Sequence, residues 1–183
     1  EAISSRDSIG VQKTPPHSIE AEEALLGSAL LSRDASNRLM EEIKSQDFYS
    51  PTNQRIFDAM KELFDSGKPI DSVTVSEVVF KDKKNATNLK TSTIAQLVDN
   101  VPSSANFERY IEIVLENSNR RKLLKASGRI ELLAYATDKE IANVIDEAEQ
   151  FANGIRATTD LTVSEPIPIV LTDQIKSSLK GVD

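Results

Sequence analysis

Residues able to do acid–base or metal chemistry are few in this chain. There is one histidine, His17, and no cysteine, so the usual His and Cys ligands of a zinc site are missing. A carboxylate cluster follows closely, at Glu20, Glu22 and Glu23. Such a cluster could act as an acid pair or bind Mg²⁺. A solvated first helical turn, at the positive end of the helix dipole, explains it better. A surface or capping role likewise explains His17 better than catalysis does.

Motifs for phosphate binding and nucleophilic catalysis are also missing from the sequence. No Gly-x-x-x-x-Gly-Lys-Ser/Thr loop occurs, and the six glycines stand singly. No Ser-His-Asp or Cys-His set can be specified. We therefore predict no catalytic residue, no cofactor-binding residue and no metal site in these 183 residues.

One basic segment stands out from a chain whose net charge is −7. That net charge disfavours non-specific binding to nucleic acid unless the charges are segregated. The segment could bind single-stranded DNA, although no aromatic residues interleave for base stacking; a solvated helix face is the ordinary alternative. Leu123, Leu124 and Ile130 lie in the same stretch, where they suit either a docking patch for a protein partner or a hairpin core. The basic residues are Arg120, Arg121, Lys122, Lys125 and Arg129.

The overall composition is that of a soluble globular protein. Apolar residues make up 39% of the chain and charged residues 28%. No apolar run approaches the roughly 20 residues of a membrane span, and no signal-peptide pattern opens the sequence. Because cysteine is absent, we expect no disulfides and a reducing, cytoplasmic location.

Helical periodicity recurs along the chain and no strand alternation persists, which predicts an all-α fold. Residues 1–14 read as a disordered leader. Residues 15–103 read as a small globular bundle, which we call the head. Within the first predicted helix, Gly27 lies on the apolar face, which indicates that another backbone passes close by.

Several helix starts in the head are marked by local signals. His17 or Ser18 is expected to cap the first helix. Ser50–Pro51 places a cap before a proline at the first helical position of the third. Thr74 with Glu77 matches the reciprocal capping box and predicts the start of the fourth.

Residues 104–156 are predicted to form a long antiparallel helical hairpin with its turn at Ala136–Asp138. Asn117–Arg121 is almost devoid of apolar residues, and the apolar stripe resumes beyond it on a shifted face. The shorter helix cannot cover both faces, so self-association is favoured over packing within one chain alone. The predicted subunit interface comprises Phe107, Tyr110, Ile111, Val114, Ile141, Val144, Ile145, Ala148, Phe151 and Ile155.

The end of the sequence reads as a linker and one more helix. Residues 157–166 are rich in Thr, Ser and Asp and end at Pro166, and Pro168 follows. Residues 167–180 are amphipathic and too short to be stable alone, so we expect this linker helix to dock on another surface. Its docking residues are Val170, Leu171, Ile175 and Leu179.

Several short sequence blocks, taken together and in order, are specific to one protein family. The blocks are Pro15–Glu22, Leu25–Gly27, Asp47–Tyr49, Ile56–Phe57, Gly67–Asp71, Val73–Thr74, Val101–Asn106, Tyr110, Ile113–Val114 and Arg121–Leu123. They resemble the N-terminal domain of bacterial DnaB-type replicative DNA helicases, and the resemblance covers roughly residues 15–155. That family usually has a Gly-Gly pair before the fifth helix, where this sequence has Asn85–Lys90.

The resemblance implies a six-subunit ring in which these domains form a collar, with hairpins pairing subunits into dimers. The collar would dock primase, and the linker helix would pack against a neighbouring motor domain. That motor, with its ATP and Mg²⁺, would follow Asp183, so helicase activity and DNA contact would belong to the full-length ring. A helicase loader is a further expected partner. The residues implied for primase docking are Thr93, Leu123, Leu124 and Ile130.

Two alternatives stay open at this point. The chain could be a stand-alone phage or plasmid adaptor that captures primase or helicase. It could also be a helical module that binds single-stranded DNA through the Arg120–Arg129 segment. A phosphate-binding loop downstream in the parent reading frame would exclude the adaptor.

Overall fold

The computed structural model describes residues 14–81, 90–101 and 104–158, without the side chains of residues 91, 104 and 155–158. These ranges are helical and contain no strand, as predicted. Short 3-10 turns occupy Ser45–Asp47 and Ser104–Asn106. The linker and the linker helix, with Val170, Leu171, Ile175 and Leu179, lie outside the described residues. The α-helices are α1 (Ile19–Leu31), α2 (Arg33–Glu42), α3 (Pro51–Asp65), α4 (Ser72–Lys81), α5 (Thr91–Asp99), α6 (Phe107–Ala134) and α7 (Ile141–Thr158).

Serine side chains cap the first three helices, with Ser32 at the start of α2. The Ser18 hydroxyl accepts a hydrogen bond from the Ala21 N–H at 3.2 Å and caps α1. Ser50 caps α3, whose first residue is Pro51. Both starts were predicted from the sequence, because a hydroxyl satisfies one of the N–H groups that the first turn leaves unpaired.

Helix α4 begins one turn earlier than the capping-box prediction placed it. The Asp71 carboxylate accepts hydrogen bonds from the N–H groups of Val73 and Thr74, each at 2.9 Å. In return, the Asp71 N–H donates to the Thr74 hydroxyl at 3.1 Å. The box is therefore Asp71 with Thr74, and the predicted pairing of Thr74 with Glu77 is wrong. The hydrogen bond from the Thr74 N–H lowers the pKa of Asp71, and the hydrogen bond from the Val73 N–H lowers it further by a smaller amount.

Helix α1 lies at the centre of the head and contacts α2, α3, α5 and α6. Gly27 permits the contact with α5, because a Cβ at this position would overlap the Leu97 carbonyl and the Val101 side chain. The close backbone approach predicted at Gly27 is confirmed. In and around α1, the largest fully buried apolar side chains are Leu25, Leu26, Leu39, Phe48, Ile56, Phe57, Met60, Val75 and Ile94.

Helix α6 belongs to both parts of the molecule. It has 28 residues, about 42 Å at roughly 1.5 Å per residue. Its N-terminal half packs on α1, where Ile111 and Val114 join the core. Its C-terminal half pairs with α7 after a turn that includes the predicted Ala136–Asp138. Helix α7 starts at Ile141, beyond this turn. No helix in the described part of the chain combines the length and apolar character needed to cross a membrane.

Candidate functional site

The polar break in α6, residues Asn117–Arg121, is the place where the helix leaves the head. Here the Ser118 hydroxyl donates to Asp47 Oδ1 at 2.6 Å, and Lys122 Nζ lies 3.1 Å from the same oxygen. The other carboxylate oxygen accepts from the Lys44 N–H at 3.0 Å. Asp47 is only 3% exposed. Its carboxylate binds Lys44 in the head and Ser118 and Lys122 in α6, so it connects the base of the hairpin to the head. We call this set of contacts the joint.

Arg121 strengthens the same joint through backbone carbonyls. Its guanidinium donates to the Pro16 carbonyl at 2.8 Å and also to the Asp47 carbonyl. Burial lowers the pKa of Arg121, opposed by the charges of Glu22 and Asp47. Arginine remains protonated at neutral pH, so the guanidinium keeps all its donors. Some of the Arg121 donors are therefore already used in hydrogen bonds within the chain.

Glu22 is a second buried carboxylate, only 2% exposed. It accepts hydrogen bonds from the Tyr49 N–H at 2.6 Å, the Ser50 N–H at 3.2 Å and the Asn53 side-chain amide at 2.9 Å. It thereby fixes the segment that leads from Asp47 into α3. The solvated first turn expected for the glutamate cluster is wrong for Glu22, because this side chain faces the interior.

His17 is exposed and packs on the head. Its ring stacks on Tyr49 with the centroids 4.1 Å apart, and its Nδ1 lies 2.7 Å from the Pro15 carbonyl oxygen. The described residues contain no group of three or more His, Cys, Asp or Glu side chains arranged to hold a metal ion. The sequence signals at His17 and Glu22 thus correspond to contacts that build the head.

Among the described residues, most of the exposed large apolar side chains lie on the hairpin. Tyr135 is 76% exposed beside the turn, and Ile141 is 70% exposed at the start of α7. Sequence periodicity did not single out Leu132 or Tyr135, although their position next to the turn could have indicated exposure. The hairpin surface, as we call it, consists of Leu123, Leu124, Leu132, Tyr135, Ile141 and Ile145.

The residues predicted to form a subunit interface are divided by the structure. Ile111 and Val114 lie in the head core, so they do not face a second subunit in this conformation; this corrects their assignment. Phe107 and Tyr110 pack partly buried against the same core. On α7, Val144 is buried, Ala148 and Phe151 are half-buried, and Ile141 and Ile145 are exposed. The Ile155 side chain lies outside the described residues.

The residues implied for primase docking also fall in different environments. Leu123 and Leu124 are each more than half exposed on α6. Ile130 is half-buried on the same helix, and Thr93 is half-buried on α5 in the head. Leu123 and Leu124 are therefore the candidates that the folded chain presents most openly to a partner.

A basic cleft of about 630 Å³ lies between α6, α7 and the head. At its inner end, Arg121 donates hydrogen bonds to backbone carbonyls of the head, and Lys122 forms an ion pair with Asp47. Lys125 and Arg129 are exposed, and the Arg129 guanidinium lies over the Phe151 ring, 5.2 Å from its centroid. The basic residues singled out in the sequence thus divide into cations bound to the head and cations facing solvent.

Comparison with known proteins gives a consistent result. The sequence model described as "DnaB-like helicase N terminal domain" matches residues 14–116. The replicative DNA helicase DnaB of Treponema pallidum is 38% identical over 138 residues, 75% of this chain and 31% of that protein. The DnaB of Geobacillus stearothermophilus is 36% identical over 139 residues, 76% of this chain and 31% of that protein. The chain thus spans about a third of these relatives.

Solved structures give the same fold. The crystal structure of the N-terminal domain of DnaB helicase from Mycobacterium tuberculosis matches with a TM-score of 0.71 and 31% identity, covering 77% of this chain and 99% of that one. A DnaB-like replicative helicase, solved in a study of its interactions with primase, matches with a TM-score of 0.61 and 20% identity. That match covers 91% of this chain and 36% of the other, and its identity supports the fold alone.

Proposed function

Because this chain belongs to the family of DnaB-like helicase N-terminal domains, we propose that it forms the non-catalytic collar of a hexameric replicative DNA helicase. In this role it mediates ring assembly and docks primase during DNA replication in the bacterial cytoplasm. ATP hydrolysis, with its Mg²⁺, and DNA translocation belong to other parts of the full-length protein.

The observation that carries the proposal is the hairpin surface. Six large apolar side chains lie more than half exposed between the middle of α6 and the start of α7. Exposed apolar groups concentrated in one region mark an interaction site rather than ordinary surface. A second copy of the hairpin supplies a matching apolar surface, and a two-fold arrangement uses the same residues on both copies.

Primase docking is supported by the open position of Leu123 and Leu124. A DnaB-like replicative helicase of the same fold, described with its interactions with primase, suggests the partner in this proposal. These leucines lie nearer the head than Tyr135 and Ile141, so one hairpin has room for two contacts. If primase binds one collar arrangement more tightly than another, its binding shifts the equilibrium between them toward the tighter-binding arrangement. The size of the shift is set by the difference between the two affinities. A helicase loader is a further proposed partner, and DNA contact is assigned to the full ring.

The experiment is light scattering coupled to gel filtration, across a concentration range, on the chain and two variants. Ile141→Ser combined with Ile145→Ser should shift the chain toward monomer, because both side chains lie on the proposed contact. Val73→Ser is the matched control, since Val73 is 75% exposed but lies on α4 in the head. A wild-type chain that stays monomeric at every concentration contradicts the pairing role.

Primase docking is tested separately by titration calorimetry of the chain with primase from the same organism. Saturable binding with a defined stoichiometry supports the docking role. A chain that folds and self-associates but gives no heat with primase contradicts docking while leaving the pairing role intact.

A further inference from the structure

The basic cleft points to the chemistry of the partner that the hairpin binds. Within the described ranges, Lys125 and Arg129 form no salt bridge, whereas Lys122 pairs with Asp47 and Arg120 with Glu116. The described residues that line the cleft include four cations and no carboxylate. A concentration of unneutralised positive charge in a chain of net charge −7 is a local feature that selects for a negatively charged partner.

The spacing of the two free cations limits the form of that partner. Lys125 and Arg129 are four residues apart on α6, which places their Cβ atoms about 6 Å apart on one helix face. Two carboxylates separated by one helical turn have the same spacing. The cations therefore match an acidic helix lying along α6.

An apolar contact is available beside the cations. A smaller depression on the head side of α6 is lined in part by Tyr49, Leu124 and Lys125, so Lys125 borders both hollows. Leu124 is 55% exposed and lies one position before Lys125. A ligand that occupies this region therefore contacts an apolar wall and cations together, which suits an amphipathic peptide rather than a small anion.

Single-stranded nucleic acid fits the same features less well. Binding without sequence preference uses several aromatic side chains on which successive bases stack. The described cleft lining contains one aromatic residue, Phe151, and Arg129 already lies over its ring. The carboxylates elsewhere on the chain also repel a long polyanion, whereas a short acidic helix meets only the local field.

We propose that the cleft formed by Arg121, Lys125, Arg129 and Phe151, with Leu124 at its edge, binds an acidic amphipathic helix of primase. This inference rests on the proposed docking of primase and adds the chemistry of the docking segment. The acidic side chains meet Lys125 and Arg129, and an apolar side chain covers Leu124.

The test is titration calorimetry of the chain and its variants with primase from the same organism. Lys125→Gln and Arg129→Gln should each weaken binding about threefold and together about tenfold, as expected for partly exposed charge pairs. The double variant should also show a weaker dependence of affinity on salt. Arg129→Lys keeps the charge and should retain most of the binding. Circular dichroism confirms that each variant is folded.

Arg120→Gln is the matched control, because Arg120 lies on the same helix, is paired with Glu116 and does not line the cleft. Equal primase affinity for the double variant and the wild type overturns the inference, as does an equal loss in the Arg120→Gln control. Binding of an oligothymidylate by the wild type that the double variant loses, with primase binding unchanged, assigns the cleft to nucleic acid instead. If the wild type does not bind primase, the docking function fails, and this inference fails with it.

Discussion

Ser118 and Asp47 are 71 residues apart in sequence and hydrogen-bonded at 2.6 Å in the interior. The serine belongs to α6, and the aspartate belongs to the turn that precedes α3. Since α6 also carries the hairpin surface, this contact sets the direction in which the hairpin leaves the head. The joint therefore determines where the hairpin surface is presented.

Removing the carboxylate of this joint should destabilise the fold. Asp47→Ala leaves the Lys44 N–H and the Ser118 hydroxyl without their acceptor, and Lys122 without its charge partner. We expect a loss of about 3 kcal/mol in the free energy of unfolding, measured by urea denaturation. Asp65→Ala breaks an exposed ion pair with Lys61 and should cost less than about 1 kcal/mol. Equal losses in the two variants would show that the joint contributes no more than a surface pair.

The buried carboxylate of Glu22 gives a sharper comparison, because Glu20 lies in the same helical turn and is exposed. Glu22→Gln brings an amide NH₂ toward N–H donors, and a loss of about 2 kcal/mol in unfolding free energy is expected. Glu20→Gln should change it by less than about 0.5 kcal/mol. Thermal or urea unfolding measures both. If both variants unfold like the wild type, the Glu22 hydrogen bonds do not stabilise the fold.

Two of the three helix starts predicted from local signals were confirmed, and the third, at Thr74, was placed one turn too late. Ser18 and Ser50 cap their helices because a hydroxyl can reach an N–H group within one turn. Glu22 was misread because its partners, Tyr49, Ser50 and Asn53, are about 30 residues distant, and no pattern around it reveals them. A glutamate in a first turn reads as solvated until the tertiary contact is known.

The site shows the same division. The polar break at Asn117–Arg121 was visible in the sequence, but its cause was not, because Asp47 is brought to it only by the packing of the head. The apolar stripe of Ile111 and Val114 was also visible, yet periodicity cannot state whether α1 or another subunit covers it. Tyr135 lies beside the predicted turn, but its exposure was not predicted because periodicity reports only which residues share a helix face.

Close packing at Gly27 predicts opposite effects of one substitution at two glycines. Gly27→Ala drives a Cβ into the Leu97 carbonyl and should destabilise the head by about 2 kcal/mol or more. Gly128→Ala, in the open middle of α6, meets nothing within 4 Å and should stabilise by roughly 0.5–1 kcal/mol. Chemical denaturation of the two variants gives both values. A neutral Gly27→Ala would mean that α1 and α5 can move apart without cost.

The cap of α4 predicts a pH dependence. The pKa of Asp71 is lowered in the folded state, chiefly by the Thr74 N–H, from its ordinary value of 3.8. The stabilisation is therefore complete above that value and is lost as pH falls through the lower, folded pKa. At neutral pH, Asp71→Ala should cost about 1 kcal/mol, and the difference from wild type should shrink in acid. Urea unfolding at neutral and acidic pH measures it; a constant difference would contradict an ionic cap.

Leu124 and Leu31 offer a matched pair for the docking surface, since both are 55% exposed. Leu124→Asp should leave the unfolding free energy nearly unchanged, because an exposed carboxylate stays hydrated in the free chain. On binding, primase would cover that carboxylate without a partner, so affinity should fall by about 2 kcal/mol or more. Leu31→Asp, at the end of α1, should bind primase as the wild type does. Titration calorimetry with primase measures all three proteins, and equal affinities would remove Leu124 from the proposed contact.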